Sequence, residues 1–529
     1  MFQINFNSCN SNVGKMPAYL RICIIAAIIY LNPLIQAYNI LAILPYPGRS
    51  HHVAFLPFFK ELARRGNNVT LISHYLQEKP LKNLTEILLS EKKEFQNWVP
   101  VTSPSYLTVF VAGVVLVYTG AASCKTLLDN QGVQDLWKNR AKFDVVLVEQ
   151  FNSDCGLGLA YELGAPVVGI TANSLMPQHY KRYGVPDNPS YTRNQVLGGR
   201  TRATLFERVE RTLIGIYINY MVDFASQFLD QYYLGQYFPN IPPIKELEKN
   251  IKFLLLYQHF VLNSAILLPS NVIEVAGHHV LEPKTLPKDL KQFIEESKDG
   301  VIYVSFGSMI KATSLSKYNL QAILDVLEEL PQRVIWKWDT DNLPFDMNNI
   351  YSSKWLPQND ILAHPNVVAF FSHCGQVGIT EAIHYGVPVL GIPMFGDQIS
   401  NAAAVEESGL GVQTALNELT KEDLMKKFKT ILDPDFRSNV KTLSRMYRDR
   451  PVSSLNASVF WTEFVARYPN ATFRSPILSV PLYQYYCFDV LAVFILLLLF
   501  IFLLSKAIIR CIIRYISYSL RRKPKNKIQ

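Results

Sequence analysis

The sequence of 529 residues contains little cysteine and little charge for its length. Of its seven cysteines, four fall in terminal or strongly apolar segments, which leaves Cys124, Cys155 and Cys374 in the body of the chain. Three widely spaced cysteines predict neither a disulfide framework nor a metal site, so we expect stability to come from the apolar core. Charged residues make up 18% of the chain and hydrophobic residues 49%, which excludes disordered, collagenous and coiled-coil proteins.

Acidic residues are missing from both ends of the chain, and this explains the net charge of +9. The segment from Lys506 to Lys527 holds eight basic residues and no acidic one, and the first 37 residues hold only Lys15 and Arg21 as charged groups. The rest of the chain is therefore close to neutral. A nucleic-acid-binding protein spreads basic residues over its folded domain, so we expect no nucleic-acid partner.

The first 37 residues have the pattern of a cleaved secretory signal. Arg21 precedes an apolar stretch that closes in small residues at Ala37, so we expect the mature chain to begin near Tyr38. Translation from Met16 is an alternative that would make residues 1–15 a mere extension. An uncleaved anchor is the other alternative, but the apolar stretch is short for a membrane span.

A longer apolar run, FDVLAVFILLLLFIFLLS, occupies residues 488–505 and carries one charge, Asp489, at its edge. It predicts a transmembrane helix over residues 486–507 and a basic cytosolic tail over residues 508–529. A buried core helix is the alternative, but the run has no polar face. The body of a single-pass, type I protein would then lie in the lumen.

Two further signals bear on the compartment. Lys525 and Lys527 lie five and three residues from the C-terminus, which resembles the dilysine retrieval signal of endoplasmic-reticulum membrane proteins. A plain stop-transfer flank is the alternative. Four glycosylation sequons fit a luminal glycoprotein: Asn68, Asn83, Asn456 and Asn470.

Apolar runs alternate with helical patterns along the body, as in parallel sheets covered on both faces. The runs predict strands at residues 39–45, 67–73, 143–149 and 166–171 in the first half, and at 301–306, 333–338, 367–372 and 387–393 in the second. Two Rossmann-like α/β domains follow, over residues 38–268 and 287–480, with a linker at 269–286. Residues 185–265 are rich in Tyr, Phe and Leu and are predicted to be helical. This segment either packs or shapes a pocket for an apolar ligand, and both interpretations stay open.

The most informative stretch runs from residue 355 to residue 398. It combines an aromatic residue, a glutamine, a His-x-Gly at a strand end, a glutamate and an Asp-Gln pair: Trp355, Gln358, His373, Gly375, Glu381, Asp397 and Gln398. The segment SHCGQVG closes a strand and opens a helix, so backbone N–H groups beside Gly375 and Gly378 suit a diphosphate. A dinucleotide motif is excluded, because GLGLAY at 156–161 lacks the third small residue.

This stretch resembles the signature of the UDP-glycosyltransferases. PGRSHH, EVAGHH, SFGSM and the C-terminal apolar run extend the resemblance over the mature chain, closest to membrane-bound animal and particularly insect members. The resemblance implies a GT-B fold, in which two Rossmann-like domains face a cleft. It also implies a UDP-sugar donor, a small lipophilic acceptor and neither metal nor cofactor, whereas homo-oligomer formation stays open.

The resemblance also assigns roles to single residues. Trp355 is expected to stack on uracil, Gln358 to bond the uracil edge, and Glu381 to accept from the ribose hydroxyls. The remaining donor-binding roles are expected at the diphosphate, for Ser308, His373, Gly375 and Gly378, and at the sugar hydroxyls, for Asp397 and Gln398. Cys374 departs from the family, because most animal members have glycine there.

Catalysis is expected in the first half, where a loop follows the first predicted strand. Imidazole is apt as a general base near neutral pH, so His51 can take a proton from an acceptor hydroxyl. His52 competes by proximity, but the family pattern places the catalytic histidine directly after a serine, which selects His51. An acid near the end of the third predicted strand is expected to orient it. We favour Asp154 for its identity and keep Glu149 as the alternative by strand position.

The expected reaction is an inverting displacement, in which the acceptor attacks the anomeric carbon and UDP leaves. Glucuronosyl members carry an arginine at the position that aligns with Tyr257, so the sequence favours UDP-glucose as donor. Glucuronosyl transfer and a catalytically silent nucleotide-sugar-binding protein are the alternatives. The acceptor and the choice between O- and C-linkage stay open, with conjugation of toxins, pigments or hormones all compatible.

Overall fold

The computed structural model describes residues 37–90, 105–193, 195–199, 201–264, 266–340 and 347–521. The chain divides into a body that ends at Phe473 and a C-terminal unit that begins at Arg474. Two predictions lie outside the described residues, namely the signal segment up to residue 36 and the lysine pair at positions 525 and 527.

The first half of the body contains a parallel sheet of seven strands within the described residues. The strands are β1 (Asn39–Ile43), β2 (Asn68–Ser73), β3 (Leu84–Leu88), β4 (Val145–Glu149), β5 (Val167–Ile170), β6 (Ile251–Leu256) and β7 (Val272–Glu274). Their order across the sheet is β3-β2-β1-β4-β5-β6-β7. The four strands predicted here are confirmed. The helical prediction for residues 185–265 is wrong at β6, whose apolar residues are all buried in the sheet.

The second half contains a parallel sheet of six strands among the described residues. The strands are β8 (Val301–Ser305), β9 (Arg333–Lys337), β10 (Ile350–Ser353), β11 (Val367–Ser372), β12 (Val389–Gly391) and β13 (Gly411–Gln413). Their order is β10-β9-β8-β11-β12-β13, so the four predicted strands are confirmed here as well. In both sheets the order reverses beside the first strand, and the crevice at the carboxyl ends of such strands is where ligands bind.

Helices connect the strands and cover both faces of each sheet. Those of the first half are α1 (Arg49–Arg64), α2 (Tyr106–Asp129), α3 (Gln131–Lys138), α4 (Cys155–Glu162), α5 (Pro177–Tyr183), α6 (Leu205–Ile216), α7 (Asp223–Tyr237), α8 (Ile244–Leu247) and α9 (Phe260–Asn263). Those of the second half are α10 (Lys288–Glu295), α11 (Lys317–Glu329), α12 (Gln358–Leu362), α13 (Gln376–Tyr385), α14 (Gln398–Ser408), α15 (Lys421–Leu432), α16 (Pro434–Arg448) and α17 (Ser454–Arg467). A π-helical segment, Tyr217–Val222, joins α6 to α7.

Helix α17 returns from the second half to the first. Its Val459 and Val465 are fully buried in the core cluster that contains β1 and α1. The ring of Trp461 lies 4.6 Å from that of Phe253 on β6. The C-terminal end of the body therefore stabilises the first sheet, although it follows the second sheet in sequence.

The C-terminal unit contains α18 (Leu482–Tyr485) and α19 (Phe488–Arg521). With 34 residues, α19 is long and apolar enough to cross a membrane, and it continues beyond the predicted end at residue 507 into the basic segment. Helix α2 passes the same test of length and composition, with 33% of its most apolar window buried. Its neighbours α6 and α7 also expose aromatic residues such as Phe206 and Phe228.

The expectation that the body has no disulfide is wrong for one pair, because Cys124 on α2 and Cys155 at the start of α4 are bonded to each other. Both side chains are fully buried, since α4 packs beneath α2. A sequence separation of 31 residues carries no sign of this pairing. Cys374 is a free and buried thiol.

Candidate functional site

The loops after β1 and β4 open on the same side of the first sheet, because the two strands are adjacent and parallel. Ile43 near the end of β1 pairs with Val148, one residue before the end of β4. The chain leaves β1 through a short loop, and His51 lies in the first turn of α1. Glu149 is the last residue of β4. The topology therefore brings these two side chains together across 98 positions of sequence.

His51 and Glu149 form a direct pair. Nδ1 of His51 lies 2.5 Å from Oε1 of Glu149, and the two side chains are 13% and 1% exposed. The rings of Tyr46 and Phe151 each lie 4.7 Å from the imidazole and restrict its orientation. A carboxylate on Nδ1 favours the tautomer whose Nε2 is unprotonated and stabilises the imidazolium that forms on proton uptake.

Asp154 does not contact His51 through any described hydrogen bond and instead forms a buried ion pair. Its two oxygens each lie 2.7 Å from a guanidinium nitrogen of Arg182. Burial alone would raise the pKa of Asp154, but the adjacent Arg182 lowers it below its usual value. The structure therefore places Glu149 on His51, in contrast to our preference for Asp154. His52 is buried under Tyr75, and burial lowers its pKa to about 4.

The second half presents two loops at its strand ends, one after β8 and one after β11. The imidazole of His373 lies between Gly307 and Gly375, where a Cβ on either glycine would overlap the ring. Gly307 also has φ +79°, a left-handed conformation that favours glycine. Burial, and next the charge of Lys337, lower the pKa of His373 to about 4. His373 is therefore neutral near pH 7, and Ser308 follows Gly307 in the same turn.

Helix α13 begins three residues after this histidine. Gly375 is its N-cap and provides no side-chain hydrogen bond, and Gly378 lies in the first turn. The N–H groups of a helix start and its dipole favour an anion. Cys374 has φ +61°, a conformation that favours glycine, so the departure from the family pattern falls on a strained backbone position.

Trp355 lies on the loop after β10 and is 57% exposed, which is unusual for a large aromatic side chain. The guanidinium of Arg49 lies 4.1 Å from the centre of its ring, and the ammonium of Lys337 lies 5.7 Å from it. Arg49 precedes His51 by two residues, so the candidate base and the exposed indole come from the two halves of the body and meet at one place. This geometry gives Trp355 a surface on which a planar ring can stack.

A chain of polar contacts surrounds Glu381 on α13. Nε2 of Gln358 lies 2.5 Å from Oε2 of Glu381, and the Tyr303 hydroxyl donates to Oε1 of Gln358 at 3.2 Å. On the other side, Nε2 of His279 lies 3.4 Å from Oε1 of Glu381. The hydroxyl of Tyr257 contacts Nδ1 of the same histidine. Tyr257 is thus fully buried against the linker histidine.

Asp397 and Gln398 begin α14. Oδ2 of Asp397 accepts from Nδ2 of Asn401 at 2.9 Å. Burial raises the pKa of Asp397, whereas the Asn401 hydrogen bond and the nearby charge of His51 lower it. Asp397 therefore lies within electrostatic reach of the candidate base. Oε1 of Gln398 accepts from the backbone N–H groups of Met394 at 3.0 Å and Phe395 at 3.3 Å, which fixes the side chain in its loop.

Sequence reasoning missed Arg49, Lys337 and His279. Arg49 and His279 stand in PGRSHH and EVAGHH, two segments that the sequence analysis noted, but no spacing pairs them with Trp355 or Glu381. In the described residues, one further group could bring three ligand atoms within 4.8 Å of one another: Cys124, Cys155 and Asp230. Its two cysteines form the disulfide, and a disulfide offers a metal no thiolate.

The chain resembles known proteins over most of its length. A sequence model described as "UDP-glucoronosyl and UDP-glucosyl transferase" matches residues 58–523. UDP-glycosyltransferase UGT5 of Dactylopius coccus is 32% identical, over 91% of this chain and 93% of that protein. UDP-glucuronosyltransferase 2A3 of Cavia porcellus is 29% identical, over 84% of this chain and 87% of that protein.

Solved structures of glycosyltransferases share the fold. The calicheamicin glycosyltransferase CalG4 superposes with a TM-score of 0.54 at 18% identity, over 82% of this chain and 99% of that one. A UDP-glucosyltransferase from Polygonum tinctorium, described as capable of glucosylating indoxyl, gives 0.55 at 16% identity, over 83% and 99%. The predicted GT-B architecture of two Rossmann-like domains is therefore confirmed.

Proposed function

Because this chain belongs to the UDP-glucuronosyl and UDP-glucosyl transferase family and is therefore a glycosyltransferase, we propose that it transfers glucose from UDP-glucose to a hydroxyl of a small lipophilic acceptor. The observation that carries the proposed chemistry is the His51–Glu149 pair at the ends of β1 and β4. The family assignment alone leaves the donor sugar open, since the relatives carry both glucosyl and glucuronosyl names.

In the proposed reaction, Nε2 of His51 takes the proton of the acceptor hydroxyl. The acceptor oxygen then forms a bond to the anomeric carbon from the face opposite the leaving group. The bond from that carbon to the phosphate oxygen breaks, and its electron pair leaves with UDP. Glu149 holds Nδ1 and stabilises the imidazolium, so it acts as a positioning residue for the base.

The departing diphosphate is proposed to bind at the start of α13. The backbone N–H groups that follow Gly375 and the helix dipole favour its charge, and His373 and Ser308 lie on the adjoining loops. His373 contributes as a neutral hydrogen-bond donor, because its pKa of about 4 keeps it uncharged near pH 7. The absence of a side chain at Gly375 keeps the imidazole close to the helix start.

The nucleoside is proposed to bind between Trp355, Gln358 and Glu381. Its uracil would stack on the exposed indole. Arg49, whose guanidinium lies over that ring, would then have to move away or contact the opposite face. Gln358 uses its amide on Glu381 in the structure, and uracil binding would redirect that amide to the base edge. Asp397 and Gln398 are proposed to hold the sugar hydroxyls, where Asp397 also lies near the candidate base.

Glucuronic acid is the second candidate for the transferred sugar, and one observation favours it. Glucose is supported by Tyr257 at the position of the glucuronosyl arginine, but this tyrosine is fully buried on His279. Arg49, in contrast, is a cation two residues from His51 that could meet a sugar carboxylate.

The protein is proposed to be a single-pass endoplasmic-reticulum glycoprotein with its body in the lumen. The length and apolar composition of α19 support an anchor, and the basic residues at its C-terminal end support a cytosolic tail. A luminal position suits the conjugation of lipophilic acceptors that partition into membranes.

The test uses microsomes that contain the full chain, with UDP-glucose, UDP-glucuronic acid and UDP-galactose offered separately against a panel of phenols. Glucoside formation that is lost in His51→Ala would support the donor and the base together. Predominant glucuronide formation would overturn the assignment of UDP-glucose as donor and would favour Arg49 as the partner of the sugar carboxylate. A folded chain that binds UDP and transfers no sugar to any acceptor would contradict the proposal.

A further inference from the structure

The linker between the two halves contributes a histidine to the nucleotide end of the candidate donor site. We propose that His279 is a positioning residue, which holds the Glu381 carboxylate in the orientation that receives the ribose hydroxyls of a uridine nucleotide. This inference rests on the proposed function, because it takes Glu381 to be the residue that meets the ribose.

The two oxygens of Glu381 have different partners. Oε2 lies 2.5 Å from the Gln358 amide, which belongs to the same half of the body. Oε1 lies 3.4 Å from Nε2 of His279, which comes from the loop after β7. Glu381 is 6% exposed and His279 is 7% exposed, so water replaces neither contact easily. A buried carboxylate without donors would be costly, and Nε2 of His279, which makes no hydrogen bond among the described residues, lies close enough to Oε1 to donate to it after a small adjustment.

Tyr257 determines the tautomer of His279, that is, whether the nitrogen that faces Glu381 carries the hydrogen. Burial raises the pKa of Tyr257 well above its usual value, so the phenol keeps its proton, and in the proposal it donates that proton to Nδ1 of His279, which it contacts. A neutral imidazole that accepts at Nδ1 carries its hydrogen on Nε2, and that nitrogen faces Oε1 of Glu381. Phenol, imidazole and carboxylate thus form one line of polar contacts from the residue after β6 to α13.

This line of contacts matters most when the nucleotide is bound. Once the Gln358 amide turns to the uracil edge, Nε2 of His279, which is unpartnered among the described residues and lies 3.4 Å from Oε1, can take over as a donor to Glu381. The carboxylate can then keep one oxygen on His279 and direct its other lone pairs to the two ribose hydroxyls. Because His279 lies in the linker, this contact also connects the ribose subsite to the junction of the two halves.

The neighbouring His278 provides a matched control. It is buried in the same linker, but its ring packs on Phe55 at 5.6 Å and Phe58 at 5.9 Å, and its Nδ1 lies 3.4 Å from the Ser458 hydroxyl. A substitution there disturbs the linker without removing a contact to Glu381. The pair therefore separates a positioning role from general packing.

The experiment measures binding of UDP and of 2′,3′-dideoxy-UDP to the full chain in detergent, for the wild type, His279→Leu, His279→Gln and His278→Leu. We expect His279→Leu to lower the affinity for UDP about tenfold and the affinity for the dideoxy nucleotide less than about twofold. His279→Gln restores a donor and should recover most of the UDP affinity. His278→Leu should leave the ratio of the two affinities unchanged. Tyr257→Phe, which keeps the ring, should shift the ratio in the same direction by a smaller factor.

Equal weakening of both nucleotides by His279→Leu, or no weakening of either, would overturn the positioning role. A wild-type chain that binds UDP while His279→Leu leaves the ratio unchanged refutes this inference alone. A folded wild-type chain that binds no UDP refutes the proposed function and this inference with it. If His279→Leu does not fold, the comparison of Tyr257→Phe with the wild type decides the same question.

Discussion

Nδ1 of His51 lies 2.5 Å from Oε1 of Glu149: His51 lies in the first turn of the helix that follows β1, and Glu149 ends the neighbouring parallel strand β4. A nearly inaccessible carboxylate therefore holds one nitrogen of an imidazole whose other nitrogen is left for chemistry. The contact also distinguishes the roles of two acidic residues that lie five positions apart in sequence. Glu149 serves the candidate base, whereas Asp154 neutralises the buried Arg182.

We expect Asp154→Asn to reduce stability far more than it reduces the turnover of the folded enzyme. The substitution removes the bidentate partner of the buried Arg182 but leaves the Glu248 carboxylate at 3.0 Å, so we expect the low end of the usual cost of breaking a buried ion pair on one side, about 3 kcal/mol. Chemical unfolding measures this loss, and kcat is measured on the fraction that remains folded. A fall in kcat of more than about a hundredfold with unchanged stability would return Asp154 to the catalytic role.

The same carboxyl makes stability depend on pH. Its pKa is lowered in the folded protein by Arg182, against the opposing effect of burial. A group whose folded pKa lies below its unfolded value stabilises the protein above the unfolded pKa and loses that effect as pH falls through the folded one. We therefore expect the difference in unfolding free energy between wild type and Asp154→Asn to shrink below about pH 4. A difference that stays constant from pH 7 to pH 3 would contradict this.

Gly307→Ala should abolish UDP binding in a protein that still folds. A Cβ at this position overlaps the His373 ring, so the imidazole has to leave the place where we propose it meets the diphosphate. Gly409→Ala is the control, because Gly409 has the same φ of +79° and no atom within 4 Å of the added carbon. Both variants carry the backbone cost of about 1 kcal/mol, and only Gly307→Ala should lose affinity. Equal UDP affinity in the two variants would contradict this role of His373.

Cys124 and Cys155 should resist alkylation until the protein is reduced, and a peptide that contains both should appear in mass spectra without reductant. The disulfide closes a loop of 31 residues in a buried part of the first half. Loop-closure entropy predicts a stability loss of about 3–4 kcal/mol for Cys124→Ala. Cys374 is a control, because it is a free buried thiol. Alkylation of Cys155 in the folded, unreduced protein would contradict the pairing.

The strands that sequence predicted are those whose apolar runs are buried on both faces, such as β4 and β11. Strand β3 was not predicted because it is half-exposed at an edge of its sheet, and β7 and β13 have only three residues each. The segment IKFLLL of β6 follows a long aromatic helix and was read as part of it. Its burial comes from pairing with β5 and β7, which the local pattern does not contain.

The candidate site shows the same division. The sequence predicts Trp355, His373 and Glu381 as site residues because all three lie in one continuous stretch with a recognisable order. The partner of His51 could not be predicted from sequence. Glu149 ends β4 and Asp154 lies in the loop after it, and the register of β1 against β4 decides which of the two reaches His51. The contact of His279 with Glu381 joins residues 102 positions apart and leaves no local pattern.

The most direct test of the account is the turnover of Glu149→Gln with UDP-glucose and a phenol acceptor, measured beside the wild type at saturating donor. Glutamine keeps the size of the side chain but removes the charge that holds the His51 tautomer and stabilises the imidazolium. We predict that kcat falls about 10³–10⁴-fold while the affinity for UDP changes less than about twofold. Turnover within about tenfold of the wild type would contradict the assignment of the His51–Glu149 pair as the catalytic centre.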